Sequence, residues 1–104
     1  MDAKIKQAMT RINLPYAYDH FAEGESVDPP FLIYRFPGSS NFIADGTVYY
    51  KIDVMHIELY TDKKDPALEE RIEAVLDRQG FIYEKSETWI AGEKLYEVLY
   101  EMEV

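Results

Sequence analysis

His56 and Glu58 lie two residues apart, so on a strand they share one face, the spacing of a metal-ligand pair or of the His-x-Glu in zinc deaminases. The deaminase site also needs cysteine ligands, and this chain has no cysteine. With only two histidines and no thiolate, a metal centre lacks ligands, and His56–Glu58 reads instead as a polar pair within a sheet. Asp19-His20 offers a base and an acid side by side, but a base also needs a nucleophile within reach. Ser39 and Ser40 follow a glycine without forming a Gly-x-Ser-x-Gly elbow, and the five glycines are too scattered to cradle a phosphate. The chain is therefore expected not to be an enzyme and to need neither cofactor nor metal.

What must position these residues is a chain of 104 residues, the usual size of one domain, expected to span 1–104. Hydrophobic residues make up 47% of it, enough for a core and against disorder. Twenty acidic against eleven basic residues give a formal charge of −9, which repels nucleic-acid backbones and anionic membranes. Specific nucleic-acid binding is not expected. The N-terminal stretch contains no unbroken apolar run, and no segment approaches the ~18 residues that cross a bilayer. A soluble protein made in the cytoplasm, with no membrane partner, is the expectation.

Ile5, Met9 and Ile12 at helical spacing, with Asp2 as cap and Leu14-Pro15 as stop, predict a helix over about 2–13. A short strand follows over Tyr16 to Phe21, then turn residues from Glu23 to Pro30. Phe31 to Phe36 reads as a buried strand stopped by Pro37-Gly38, and 37–48 as a long connection. The next strand is expected from about Tyr49 to Thr61, with a β-bulge near Val54 where the apolar set changes parity. Asp65-Pro66, then Leu68, Ile72, Val75 and Leu76, then Gly80, spell a second helix from cap to stop. Its Glu69, Glu70, Glu73 and Asp77 read as a solvated face. Two strands, about 81–90 and 93–104, close the chain.

The order α-β-β-β-α-β-β contains no strand-helix-strand alternation, so the fold class is α+β: an antiparallel sheet of about five strands with both helices on one face. In the last strand Tyr96, Val98, Tyr100, Met102 and Val104 form an apolar stripe, while the other face mixes acid with leucine. A two-residue loop at Ala91-Gly92 pairs Ile90 with Glu93 and Tyr83 with Tyr100, and avoids any facing glutamates. The mixed face then holds Ile82, Ile90, Leu95, Glu97, Leu99 and Glu101, half apolar and suited to a subunit interface with an acidic margin. The long connection holds Phe42, Ile43 and Asp45, and an apolar loop of that length in a compact domain either folds Phe42 and Ile43 back over the sheet or, exposed to water, wants a partner. Those nine residues are the candidate oligomer or partner interface.

Ala44-Asp45-Gly46, Tyr50-Lys51-Ile52, Ile57-Glu58-Leu59-Tyr60-Thr61, Lys64-Asp65-Pro66 and Glu93-Lys94-Leu95-Tyr96-Glu97-Val98 resemble, across most of the chain, a small protein of siphophages and prophages of Gram-positive bacteria. Proteins of that kind are head-tail completion proteins of the tail terminator type. The resemblance implies a ring, typically of six subunits, that caps the tail tube and presents a docking surface to the head-tail connector. It implies self-association, contact with the major tail tube protein and the connector protein, and a place first in the host cytoplasm and then in the virion. It implies no catalytic residue. A ring needs two unlike patches, which Leu95, Leu99, Ile82 and Ile90 on one side and Phe42 and Ile43 on the other would supply. Glu97 and Glu101 lining a channel would let DNA pass without sticking.

Two other readings compete. An acidic inhibitor that imitates DNA fits the net charge, but Lys51, Lys63, Lys64, Arg71, Arg78, Lys85 and Lys94 break up the acids, where a mimic needs an unbroken acidic stripe. A small ligand-binding α+β domain fits the aromatic-rich sheet.

Overall fold

The computed structural model describes residues 3–104. Its elements are α1 (Ala3–Ile12), β1 (Tyr16–Tyr18), β2 (Phe31–Ser39), β3 (Phe42–Ala44), β4 (Thr47–Tyr50), β5 (Asp53–Thr61), α2 (Pro66–Arg78), β6 (Tyr83–Ile90) and β7 (Leu95–Glu103). The fold is α+β: a five-stranded sheet in the order β1-β2-β5-β7-β6 and a separate two-stranded β3-β4 hairpin. Both helices cover one sheet face. Ile5, Ala8, Met9 and Ile12 of α1 and Ile72 and Leu76 of α2 meet Leu32, Met55, Ile57, Leu59, Val98, Tyr100 and Met102 in one core.

Each helix is bounded by its own sequence. α1 ends at Asn13, whose φ of 58° is a left-handed stop that asparagine tolerates; the proposed Asp2 cap lies outside the described residues. In α2, Asp65 Oδ1 accepts from Leu68 N at 3.1 Å, Pro66 occupies the first turn, and Gly80 takes φ 78° just past the end.

Seven expectations are corrected. The sheet is not wholly antiparallel, because β1 pairs in parallel with β2, Tyr16 beside Leu32. The 19–30 connection is long enough for that crossover, which needs a dozen or so residues. β1 stops at Tyr18 rather than reaching Phe21, since Asp19 turns the chain with φ 62°.

The bulge expected near Val54 lies instead on β2. There Arg35 faces His56 and Gly38 faces Val54, so an extra residue is accommodated around Pro37, whose missing N–H cannot join the ladder. β5 pairs with β7 without interruption from Val54 to Thr61. The strand does not begin at Tyr49; Tyr49 and Tyr50 belong to β4, which accounts for the change of apolar parity.

The 37–48 segment is not an open connection. β2 continues through Ser39, and β3 and β4 form a hairpin turned by Asp45 (φ 52°) and Gly46 (φ 71°), the left-handed pair that tight hairpins require.

The β6–β7 hairpin is closed by a four-residue turn, not by Ala91-Gly92 alone. Glu93 N donates to Ile90 O at 3.2 Å, Lys94 takes φ 55°, and Ile90 pairs with Leu95. This register sets Glu84 opposite Glu101, the like-charge contact the shorter loop avoids. It also stacks Trp89 against Tyr96, ring centroids 4.7 Å apart. An aromatic pair contributes about 0.5–1.5 kcal/mol, more than the few tenths that facing carboxylates cost in water. Because the register shifts by two residues, every side chain keeps its expected face.

Finally, the acids of α2 are not all solvated. Glu69 is buried, held by Lys64 at 2.6 Å and Lys85 at 2.9 Å, and Glu73 accepts from Lys85 and from the Tyr100 hydroxyl, both at 2.8 Å.

Candidate functional site

The feature least accounted for within one molecule is the β3–β4 hairpin. Phe42 faces Tyr50, Ile43 faces Val48, and Tyr49 sits between them as a bulge. Phe42, Ile43, Val48, Tyr49 and Tyr50 are each between 43 and 69% exposed. The hairpin prolongs β2 and β5: Ser40 N donates to Ile52 O at 2.8 Å and Ile52 N to Asn41 Oδ1 at 3.0 Å. At about 3.3 Å per residue, Phe31 to Ala44 spans roughly 45 Å, close to the 48 Å long axis of a molecule otherwise 29 by 23 Å. The hairpin is therefore an arm, apolar on both faces, that projects from the sheet.

At the arm's root lies a cleft of about 450 Å³, its apolar wall made by Ile5, Phe36, Phe81, Ile82 and Val104. Ile82, in the link between α2 and β6, is 89% exposed. Lys4 sits over the Phe81 ring, 4.4 Å from its centroid.

The sheet face without helices carries a polar network. Glu58 is only 7% exposed; its Oε1 accepts from the Tyr60 hydroxyl at 2.7 Å, and its Oε2 lies 3.3 Å from Arg35 Nε. That second approach is an ion pair without hydrogen-bond alignment, so Oε2 lacks a hydrogen bond. Tyr60 also reaches Glu97 at 3.4 Å, and burial with the two carboxylates drives its phenol well above the usual range. Burial, and then the charge of Glu58, push the Glu97 carboxyl up. In the next row His56 Nε2 meets Glu101 Oε2 at 2.7 Å.

The nine candidate interface residues do not form one patch. Phe42, Ile43 and Asp45 are on the arm, and Ile82 is on the cleft rim at the same end of the sheet. Ile90 and Leu95 pair at the opposite end, where the eight residues of β6 finish, roughly 25 Å away. Leu99, Glu97 and Glu101 lie between them on β7, opposite Ser86, Thr88 and Glu84 of β6, so the apolar stripe is interrupted. β6 is an edge strand, and Glu84, Lys85 and Glu87 guard it against pairing with another chain.

Val48, Tyr49 and Tyr50 belong with the arm, and Ile5, Phe36, Phe81 and Val104 with the cleft, though none was among those candidates. The arm had a sequence signal, Asp45-Gly46 between alternating apolar residues. The cleft had none, since its apolar wall comes from four distant stretches of chain.

Each histidine faces a carboxylate: His20 Nδ1 is 2.8 Å from Asp19 Oδ2, and His56 meets Glu101. No group of three or more potential ligands among the described residues could hold a metal ion, and among them no helix is long and apolar enough to cross a membrane. No protein-family model matches the sequence, and no curated protein matches it.

Proposed function

We propose that this chain is a structural assembly protein of a tailed phage or prophage, of the tail terminator type. It would form a ring, of six subunits by the resemblance of its sequence, that caps the tail tube and docks it to the head-tail connector. It would assemble in the host cytoplasm and remain in the virion at the head-tail junction. The observation that carries the reading is the arm. Apolar surface projecting on both faces from an otherwise acidic domain has no use in an isolated monomer, and contiguous exposed patches of this kind mark interaction sites.

The acids fit a solvated assembly surface better than a DNA mimic. Glu69, Glu73 and Glu87 are tied to Lys64 and Lys85, Glu58 to Arg35, and Glu101 to His56, so no free acidic stripe runs along those groups. Glu97 and Glu101 share one sheet face, where a ring could turn them toward a channel.

Mass measurement alone and after mixing with a tail-tube protein of a Gram-positive siphophage tests the reading. The expected result is an oligomer seated on tube ends that halts tube growth. A chain that leaves tube growth untouched, yet blocks a nuclease or restriction enzyme, would establish the DNA-mimic alternative instead.

A further inference from the structure

We propose that the β3–β4 arm of one copy of this chain seats in the cleft that Ile5, Phe36, Phe81, Ile82 and Val104 form in a second copy. The arm cannot serve its own cleft. Its root is fixed by the Ser40 and Asn41 bonds to Ile52, and Asp53, which lines the cleft, is locked to Val104 by hydrogen bonds of 3.2 and 2.8 Å. An arm held straight at the cleft's edge points away from it, so the occupant comes from another molecule.

Size argues for a second copy. The exposed parts of Phe42, Ile43, Val48, Tyr49 and Tyr50 amount to on the order of 400–500 Å², about half of what one partner contributes to a typical specific interface. A copy that both gives an arm and receives one buries its cleft lining as well. Arm and cleft are also both apolar with charged margins: Asp45 stands at the arm's turn, and Lys4, Asp53 and Glu103 line the cleft. The two patches differ, so head-to-tail repetition gives a ring where the rotation between copies closes, whereas reciprocal exchange of arms closes a dimer. The inference rests on the proposed function only for the choice of the ring.

The absence of cysteine makes the test clean. Tyr49→Cys and Ile82→Cys, prepared separately with different isotope labels, are mixed at about 0.5 mM with a short bismaleimide, and cross-linked peptides are read by mass spectrometry. Mixed links, joining the thiol introduced on the arm of one variant to the thiol introduced at the cleft of the other, are expected several-fold above the links either variant forms alone. In sedimentation, Ile82→Asp should weaken self-association at least ten-fold with no change in the melting temperature of the dilute, dissociated monomer, where Ile82 is exposed. Mixed links no more abundant than same-site links, or wild-type protein that stays monomeric at that concentration, overturn the inference. An oligomer without mixed links overturns it while leaving the ring standing. Mixed links in a strict dimer uphold the arm-in-cleft contact and remove the ring.

Discussion

The Tyr60 hydroxyl donates to Glu58 Oε1 at 2.7 Å, and the acceptor is a carboxylate buried on the sheet face that carries no helix. A buried carboxylate with one oxygen already without a hydrogen bond depends on the bonds it retains. Tyr60→Phe should therefore lower stability by about 1–2 kcal/mol, read from the urea midpoint at unchanged slope. An unchanged midpoint would mean that water replaces the hydroxyl and that this face is open to solvent.

The same phenol gives an alkaline signature. Tyr60 and Tyr100 are held protonated well above the usual range by burial and by carboxylates, and Tyr83 is pushed up to about 12, by burial first and then by Asp77. A phenol raised in the folded state contributes stability that is complete below its unfolded value near 10 and drains away as pH rises above it. Ultraviolet titration of the nine tyrosines should show a late group that ionises only with unfolding. Tyr60→Phe/Tyr100→Phe should flatten the alkaline loss of stability. Complete, reversible ionisation of all nine by pH 11 in folded protein would contradict the buried network.

At the acid end the sign reverses. Burial opposes ionisation of Glu69, but Lys64 and Lys85 more than offset it and hold its carboxyl below the usual range. Its contribution is present above the unfolded value near 4.5 and is lost as pH falls below it. Glu69→Gln should cost about 1–2 kcal/mol at pH 7, less than a fully buried pair because both lysines are partly exposed. The difference from wild type should shrink below pH 4. A gap that stays constant from pH 7 to 3 would assign the loss to packing.

Glu84 and Glu101 face each other across β6 and β7. Glu84→Lys should raise stability by several tenths of a kcal/mol in low salt, and the gain should fade at 0.5 M salt. A loss instead would indicate that Glu84 serves a contact outside the monomer.

The arm is expected to behave independently of the core. Gly46→Val places a β-branched residue at φ 71°, which strains the turn by roughly 1–2 kcal/mol, yet β3 and β4 contribute nothing to the core cluster. Hydrogen exchange in residues 42–50 should accelerate, while the melting temperature moves by less than about 2 °C. A larger shift would place the arm within the cooperative unit.

Local signals settled much of this fold. The spacing of Ile72 and Leu76 with Asp65-Pro66 and Gly80 writes α2 almost to the residue, because helix stripe, cap and stop are all set by near neighbours. Alternation in β7 assigned its two faces correctly, and an error of two residues in register could not disturb that. The sequence by itself thus determined the class, the helices and which side chains face the core. Tertiary structure alone decided what depends on residues far apart in the chain. Trp89 against Tyr96 outweighs the carboxylate repulsion that local charge counting emphasised. Lys64 and Lys85 bury an acid that its helix would leave in water. The cleft exists only because α1, β2, the link between α2 and β6 and the end of β7 converge beside the arm. Such contacts follow from which strands become neighbours, and strand order is fixed by how the whole core closes, not by any short stretch of sequence.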